Sequence, residues 1–209
     1  MPLPDPLRWL DWARQIQALA QSGHHYAVNE FDRERFVRLA ELAAEIISTY
    51  SEYEYEEVCS LFKAQTGYAT PRVDVRAAVF REGQLLMVRE RSDGNWALPG
   101  GWADVGEIPS EAAEREVLEE AGFRVKARKL VGVYDANRFG PLELFHAYKI
   151  VFLCDLISGE ATPSFETLEV AFFTLDQIPS NFSGERTHTR HIQDAISAWK
   201  QADFVTVFD

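Results

Sequence analysis

Gly101-Trp-Ala-Asp-Val-Gly-Glu107, followed after seven residues by Arg115-Glu-Val-Leu-Glu-Glu-Ala-Gly-Phe123, is the stretch on which the fold and chemistry of this chain turn. Its second half reads as the end of a helix over Ser110 to Ala121, stopped by Gly122. Ala113, Val117 and Ala121 recur every fourth residue and give that helix a narrow apolar edge. Glu116, Glu119 and Glu120 fall within an arc of roughly 100° on one face. Three carboxylates this close repel one another and raise each other's pKa unless solvent screens them or a cation sits among them. Oxygen-only donors of this kind suit Mg²⁺ or Mn²⁺. An isolated acidic helix face is ordinary surface; here the preceding glycine-rich loop argues otherwise.

Outward from this stretch the pattern differs on either side of residue 70. Upstream, Trp9, Trp12, Ala13, Ile16, Leu19 and Ala20 form one helical stripe, and Phe36, Leu39, Ala43, Ile46, Ile47 and Tyr50 another. Asp5-Pro6 and Gly23 read as the start and stop of the first helix, and Asp32 as the cap of the second. A third short helix carries Val58, Leu61 and Phe62 and ends at Gly67. Gly67-Tyr-Ala-Thr-Pro71 reads as a linker, which predicts an all-α domain over 1–68 and a second domain over 69–209. In the latter the period becomes two: Val73 to Phe80 turns at Glu82-Gly83 into Leu85 to Val88, a hairpin. Further strands are expected over Arg124 to Tyr134, Leu142 to Leu153 and Leu168 to Phe173, and a last helix over Arg186 to Lys200. Strands interspersed with helices predict an α/β class built on a mixed sheet covered by helices.

Composition bounds the chemistry. The 209 residues are 46% hydrophobic, enough for a sizeable core, which excludes a disordered or fibrous chain. With 21 basic against 33 acidic residues the net charge is −12, so nonspecific binding of nucleic acid is disfavoured. Cys59 and Cys154 lie far apart with no metal or disulfide spacing, and no apolar run reaches the length of a membrane span. A soluble, cytoplasmic protein is expected. His188 and His191 lack the companions of a zinc site.

Gly101, Glu107, Arg115, Glu116, Glu119, Glu120 and Gly122 match the Nudix signature, G-x5-E-x7-R-E-U-x-E-E-x-G-U, with Val117 and Phe123 at its apolar positions. At about 6 to 7% usage per identity, seven coincident matches have a chance probability on the order of 10⁻⁸. With Val73-Asp-Val-Arg-Ala-Ala78, Asn95-Trp-Ala-Leu-Pro-Gly-Gly101 and Tyr148-Lys-Ile-Val-Phe-Leu-Cys154, the chain resembles the Nudix subgroup that carries an extra N-terminal helical domain. The resemblance implies an α/β/α sandwich and metal-dependent hydrolysis of a nucleoside diphosphate linked to another moiety. CDP-choline is favoured over ADP-ribose on whole-chain resemblance. Glu116, Glu119 and Glu120 are implied as metal ligands, with a backbone carbonyl of the Pro99-Gly-Gly101 bend as a further donor. Glu107 and Arg115 would brace loop and helix as an ion pair. The general base is either Glu116 or Glu166 from a later loop.

For substrate contacts the sequence offers Arg76, Arg89, Trp102, Phe139, His146 and Tyr148, aromatic or basic residues around the expected sheet. The run Arg186-Thr-His-Thr-Arg-His191 reads as the positive, polar side of the last helix, with a phosphate-facing patch as the alternative. The apolar stripes of the N-terminal helices predict a homodimer. Two rival readings remain: a noncatalytic Nudix-fold nucleotide sensor, and an exonuclease or decapping hydrolase acting on RNA. An intact signature disfavours the first, and the missing basic stripe the second.

Overall fold

The computed structural model describes residues 8–138, 144–184 and 186–209; Asp5-Pro6, Phe139 and the expected strand start at Leu142 lie outside them. Contacts divide the chain into two compact units, one made of residues up to Pro71 together with Leu144–His146, the other of Arg72–Glu143 and Ala147–Asp209.

The first unit is helical: α1 (Arg8–Tyr26), α2 (Glu30–Tyr50) and α3 (Tyr55–Ala64). Gly23 does not stop α1 but lies inside it. A Cβ there would stand 2.2 Å from the Phe36 ring, so the absent side chain lets α2 cross closely. α1 buries Leu10, Ala13, Gln17 and Ala20, whereas Trp12 and Leu19 of the expected stripe are exposed. Small residues buried on both helices, Ala13 and Ala20 on α1 and Ala43 and Ala44 on α2, favour that close approach over a wider seam. The cap of α2 is Asn29, not Asp32: its Oδ1 accepts from the Asp32 backbone N–H at 2.9 Å, and Asp32 is the N3 residue. α3 ends at Ala64, with Gln65 as its C-cap, before Gly67, and Val58, Cys59 and Phe62 are buried.

The second unit holds one mixed sheet of eight strands among the described residues: β1 (Arg72–Arg81), β2 (Gln84–Glu90), β3 (Trp96–Ala97), β4 (Gly100–Trp102), β5 (Phe123–Asp135), β6 (Ala147–Gly159), β7 (Thr167–Thr174) and β8 (Val207–Phe208). Their order is β3-β2-β1-β6-β5-β8, with β4 also pairing β1 and β7 also pairing β2. β1 and β2 form the expected hairpin, with Glu82 and Gly83 both at positive φ. β1 and β6 run parallel.

α4 (Pro109–Ala121) covers one face, where Ala112, Ala113, Val117 and Ala121 pack on Val75, Ala77, Val79, Leu86 and Val88. α5 (Thr189–Lys200) covers the other, where Ile192, Ala195 and Ala198 meet Ala78, Leu85, Met87 and Leu98. This is the α/β/α sandwich. α5 begins three residues later than expected because the His188 side chain accepts from the Arg190 backbone N–H, and His191 accepts from the His188 backbone. That reciprocal cap leaves Arg186 in the preceding loop.

Replacing Gly23 by Val forces two methyl groups towards Phe36 and is expected to lower unfolding free energy by about 1–3 kcal/mol in urea titrations. Adding Phe36→Ala should recover part of that loss.

Candidate active site

Pro99, Gly100 and Gly101 turn the chain from β3 into β4 against the centre of β1. Gly100 has φ 146°, and a Cβ there would fall 2.0 Å from the Val75 carbonyl oxygen, so only glycine fits. A Cβ on Gly101 would lie 2.9 Å from Glu116 Oε1. The Gly100 N–H donates to Glu120 Oε2 at 2.8 Å. The bare bend therefore lies directly over two carboxylates one helical turn apart.

α4 presents them there because its ends are fixed. Pro109 sits in its first turn, and Gly122 closes it in the left-handed conformation, where a Cβ would strike the Glu160 carbonyl at 2.5 Å. Glu120 is 3% exposed and Glu116 9%. Arg115 spans the neighbouring acids. Its Nε and Nη2 donate to the two oxygens of Glu107 at 2.7 and 2.9 Å, and its Nη1 to Glu116 at 2.8 Å and Glu119 at 2.9 Å. The fork on Glu107, with the Asp104 backbone N–H, holds that carboxyl at a pKa of about 2. Burial acts the other way on the pair beneath the bend. It raises Glu116 against the pull of Arg115, and it raises Glu120 to about 7 despite Arg76 and the Gly100 N–H.

The substrate candidates are not gathered in one place. Arg76 is 2% exposed and gripped by Asp74, its Nε and Nη2 donating at 2.9 and 2.7 Å. Lys149 joins them, 3.2 Å from Asp74. Burial would raise the Asp74 carboxyl, but these two cations overcome it and hold it below its usual value. Arg89 donates to the Gly94 carbonyl and lies 3.8 Å from Glu169. Trp102 and Tyr148 are both exposed, but Trp102 pairs with Asp74 and Tyr148 with Val73, so strand alternation puts them on opposite faces. His146 falls in the helical unit and Phe139 outside the described residues. Glu166 is exposed, and its carbonyl accepts from the Arg91 N–H at 2.8 Å, which ties its loop to the end of β2.

Glu90 was not singled out by sequence. It is 1% exposed, its Oε1 has no hydrogen-bond partner among the described residues, and Oε2 lies 3.5 Å from Arg186 Nε. Burial raises its pKa, against Arg186 and Arg76 and with Asp93 and Glu166 adding to the rise. The signal was available: Glu90 continues the alternation of Leu86 and Val88, which face the core under α4.

Two family models match the chain, the NUDIX domain over residues 70–195 and a UDP-X-like, N-terminal oligomerisation domain over 7–62. The chain belongs to the Nudix family. It is 36% identical over 203 residues, 97% of each chain, to the putative ADP-ribose pyrophosphatase YjhB of Bacillus subtilis. The crystal structure of a UDP-X diphosphatase matches 98% of this chain and 99% of its own at 32% identity, with a TM-score of 0.61. An ADP-ribose pyrophosphatase from Streptococcus suis matches 67% of this Nudix chain and all of its own, at 36% identity and a TM-score of 0.61. The chain is thus a Nudix hydrolase, and no helix among its described residues is long and apolar enough to cross a membrane.

Nudix hydrolases generally use divalent metal ions. The residues here fit such an ion in donor type and space: buried carboxylate oxygens, an unpartnered Glu90 oxygen, and Gly101 leaving room above Glu116. Among the described residues no three acidic, histidine or cysteine side chains already converge as a closed set. The fit lies in chemistry and room rather than in a finished cage.

Glu120 has a folded pKa above its ordinary 4.5, so its contribution to stability is fully present below about 4.5 and gone once the pH passes about 7. In chelator, the stability gained on replacing Glu120 by Gln should therefore grow as pH rises between those values, by on the order of 3 kcal/mol at most. Paired denaturant titrations at pH 4.5 and 8 measure it; a pH-independent difference would refute the raised value.

Proposed function

We propose that the chain is a pyrophosphohydrolase that splits a nucleoside diphosphate linked to another group. The observation that carries this reading is the buried Glu116–Glu120 pair under the Gly100-Gly101 bend, within a signature intact at every defined position. A noncatalytic sensor would have no need to hold two carboxylates at such desolvation cost. Because relatives over the full length are described as acting on ADP-ribose and UDP-X, ADP-ribose moves ahead of CDP-choline as the first substrate. Products would be AMP and ribose 5-phosphate from the former, CMP and phosphocholine from the latter.

In this reading Glu116, Glu119 and Glu120 hold Mg²⁺ or Mn²⁺, with the Gly101 carbonyl beside them. The bound ion supplies charge neutralisation at the phosphate oxygens. Arg115, clamped on Glu107, fixes the loop and helix that carry the three acids. Glu116 already accepts from Arg115 at 2.8 Å, so its lone pairs are shared. Glu166, exposed on a loop tied to β2, is the better base for taking the proton of the attacking water. Trp102, exposed beside the bend, is proposed to stack on the base.

The test is product chromatography on ADP-ribose, UDP-sugars, CDP-choline and nucleoside triphosphates with Mg²⁺ or Mn²⁺. Selective cleavage of one diphosphate is expected, with kcat lowered about 100-fold or more in Glu119→Gln. Glu166→Gln should lower kcat by about 100-fold with KM much less affected. Binding of nucleotides without turnover would replace the enzyme reading with the sensor.

We infer that the helical unit makes the protein a homodimer. Trp12, Leu19, Val28 and Phe31 are exposed on it, and the family model matching this region is described as an oligomerisation domain. Light scattering at micromolar concentration should give twice the chain mass of 23.8 kDa; a monomer would refute the inference.

A further inference from the structure

Most cations close to the carboxylate pair are already committed. Arg115 is spread over Glu107, Glu116 and Glu119, and Arg76 and Lys149 are buried on Asp74. Arg91 donates to the Phe165 and Thr167 carbonyls at 2.8 and 3.2 Å. Arg186 differs. Its side chain is 30% exposed, and its ion pair runs through Nε at 3.5 Å to the buried Glu90. Among the described residues, contact at Nε leaves the Nη1–Nη2 edge of the guanidinium, the edge that matches two oxygens of a phosphate, with Asp93 near enough to act on it electrostatically.

The backbone under Arg186 is fixed to the bend that forms the site. The Trp96 N–H donates to the Asn181 carbonyl and the Ser183 N–H to the Trp96 carbonyl, so residues 181–183 extend the sheet beside β3. The Leu98 N–H, one residue before Pro99, donates to Thr187 Oγ1 at 2.8 Å. The Arg186 N–H donates to the Ser183 carbonyl, and Lys149 Nζ donates to the Arg186 carbonyl at 2.9 Å. Ser183 and Thr187 are almost fully buried. Glu90 is anchored from the other side: its strand pairs with Thr167, whose hydroxyl donates to the Glu120 carbonyl at 3.0 Å. One short chain of contacts therefore links Arg186 to Glu120 and to Gly100.

We propose that Arg186 binds a phosphate of the diphosphate substrate, and that Glu90 is its positioning residue. The proposal rests on the diphosphate reading above. The site otherwise presents acids to an anionic substrate; a forked cation on a rigid loop supplies direct donors that a metal ion does not. Glu90 orients the fork and, being buried, does not compete for the phosphate from solvent.

The test measures binding of inorganic pyrophosphate with Mg²⁺ by calorimetry, alongside KM and kcat on the best diphosphate substrate. Arg186→Ala is expected to weaken pyrophosphate by about 10- to 100-fold and raise KM similarly, with kcat much less affected. Arg186→Lys, which keeps charge but not the fork, should fall between, and Glu90→Gln should weaken binding several-fold with Arg186 still present. Unchanged pyrophosphate affinity in Arg186→Ala, or no pyrophosphate binding by the wild type, overturns the proposal. Should the Ala variant not fold, wild-type affinity in both Arg186→Lys and Glu90→Gln does the same. Loss of pyrophosphate binding in the variants while the wild type hydrolyses no linked diphosphate would keep Arg186 as a phosphate ligand and remove the proposed reaction instead.

Discussion

Two carboxylates held under a backbone that has no side chains set the terms for the rest of this domain. Gly100 can sit against Val75 only because it lacks a Cβ, and Gly101 leaves Glu116 the room that any side chain would take. Once the bend lies there, α4 must approach the sheet closely enough for Glu120 to meet the Gly100 N–H. That approach is set by the apolar edge that α4 packs on the sheet, three alanines and a valine, all short. Small residues on the packing edge and long acids beside them are two sides of one requirement.

The charge needed to tolerate these acids is supplied from within the fold. Arg115 takes the outer ones, while Arg76 reaches Glu120 and Glu90 electrostatically from its place on Asp74. Arg76 and Asp74 are two residues apart on one strand and share a face, and Lys149 arrives from the parallel neighbour in register. A buried pair of this kind contributes little net stability, since desolvation consumes much of the attraction. Its use lies in fixing a positive field beside the carboxylates.

The sequence exposed this core of the site because the constraints on it are local. Helical spacing puts Glu116, Glu119 and Glu120 on one face, and Gly122 ends the helix wherever the sheet lies. The hairpin at Glu82-Gly83 and the edges of β5 and β7 were legible for the same reason. What sequence could not supply was partner choice. Gly23 looks like a stop until Phe36 is seen against it, and Asp32 looks like a cap until Asn29 takes the role. Arg76 looks like a free cation until Asp74 and Lys149 surround it. Arg186 read as helix surface because a histidine cap at 188 was not foreseen. In each case the deciding contact comes from a residue whose place depends on the chain having already folded.

The same distinction bears on net charge. A chain at −12 would be expected to repel a diphosphate, yet the global figure carries little information at the site. Beyond about 10 Å, exposed charges are screened in ordinary salt, so the substrate responds to the groups lining the cleft. There the acids are partly neutralised by Arg76 and Arg115, and Glu90 by Arg186. Burial raises Glu90, Glu116 and Glu120 towards the neutral form in the absence of a cation. The anionic character of the site is therefore conditional, and it is strongest when a positive group stands among the carboxylates. A phosphate brought in with a divalent cation meets a different field from a phosphate alone, and that coupling follows from where these side chains are buried.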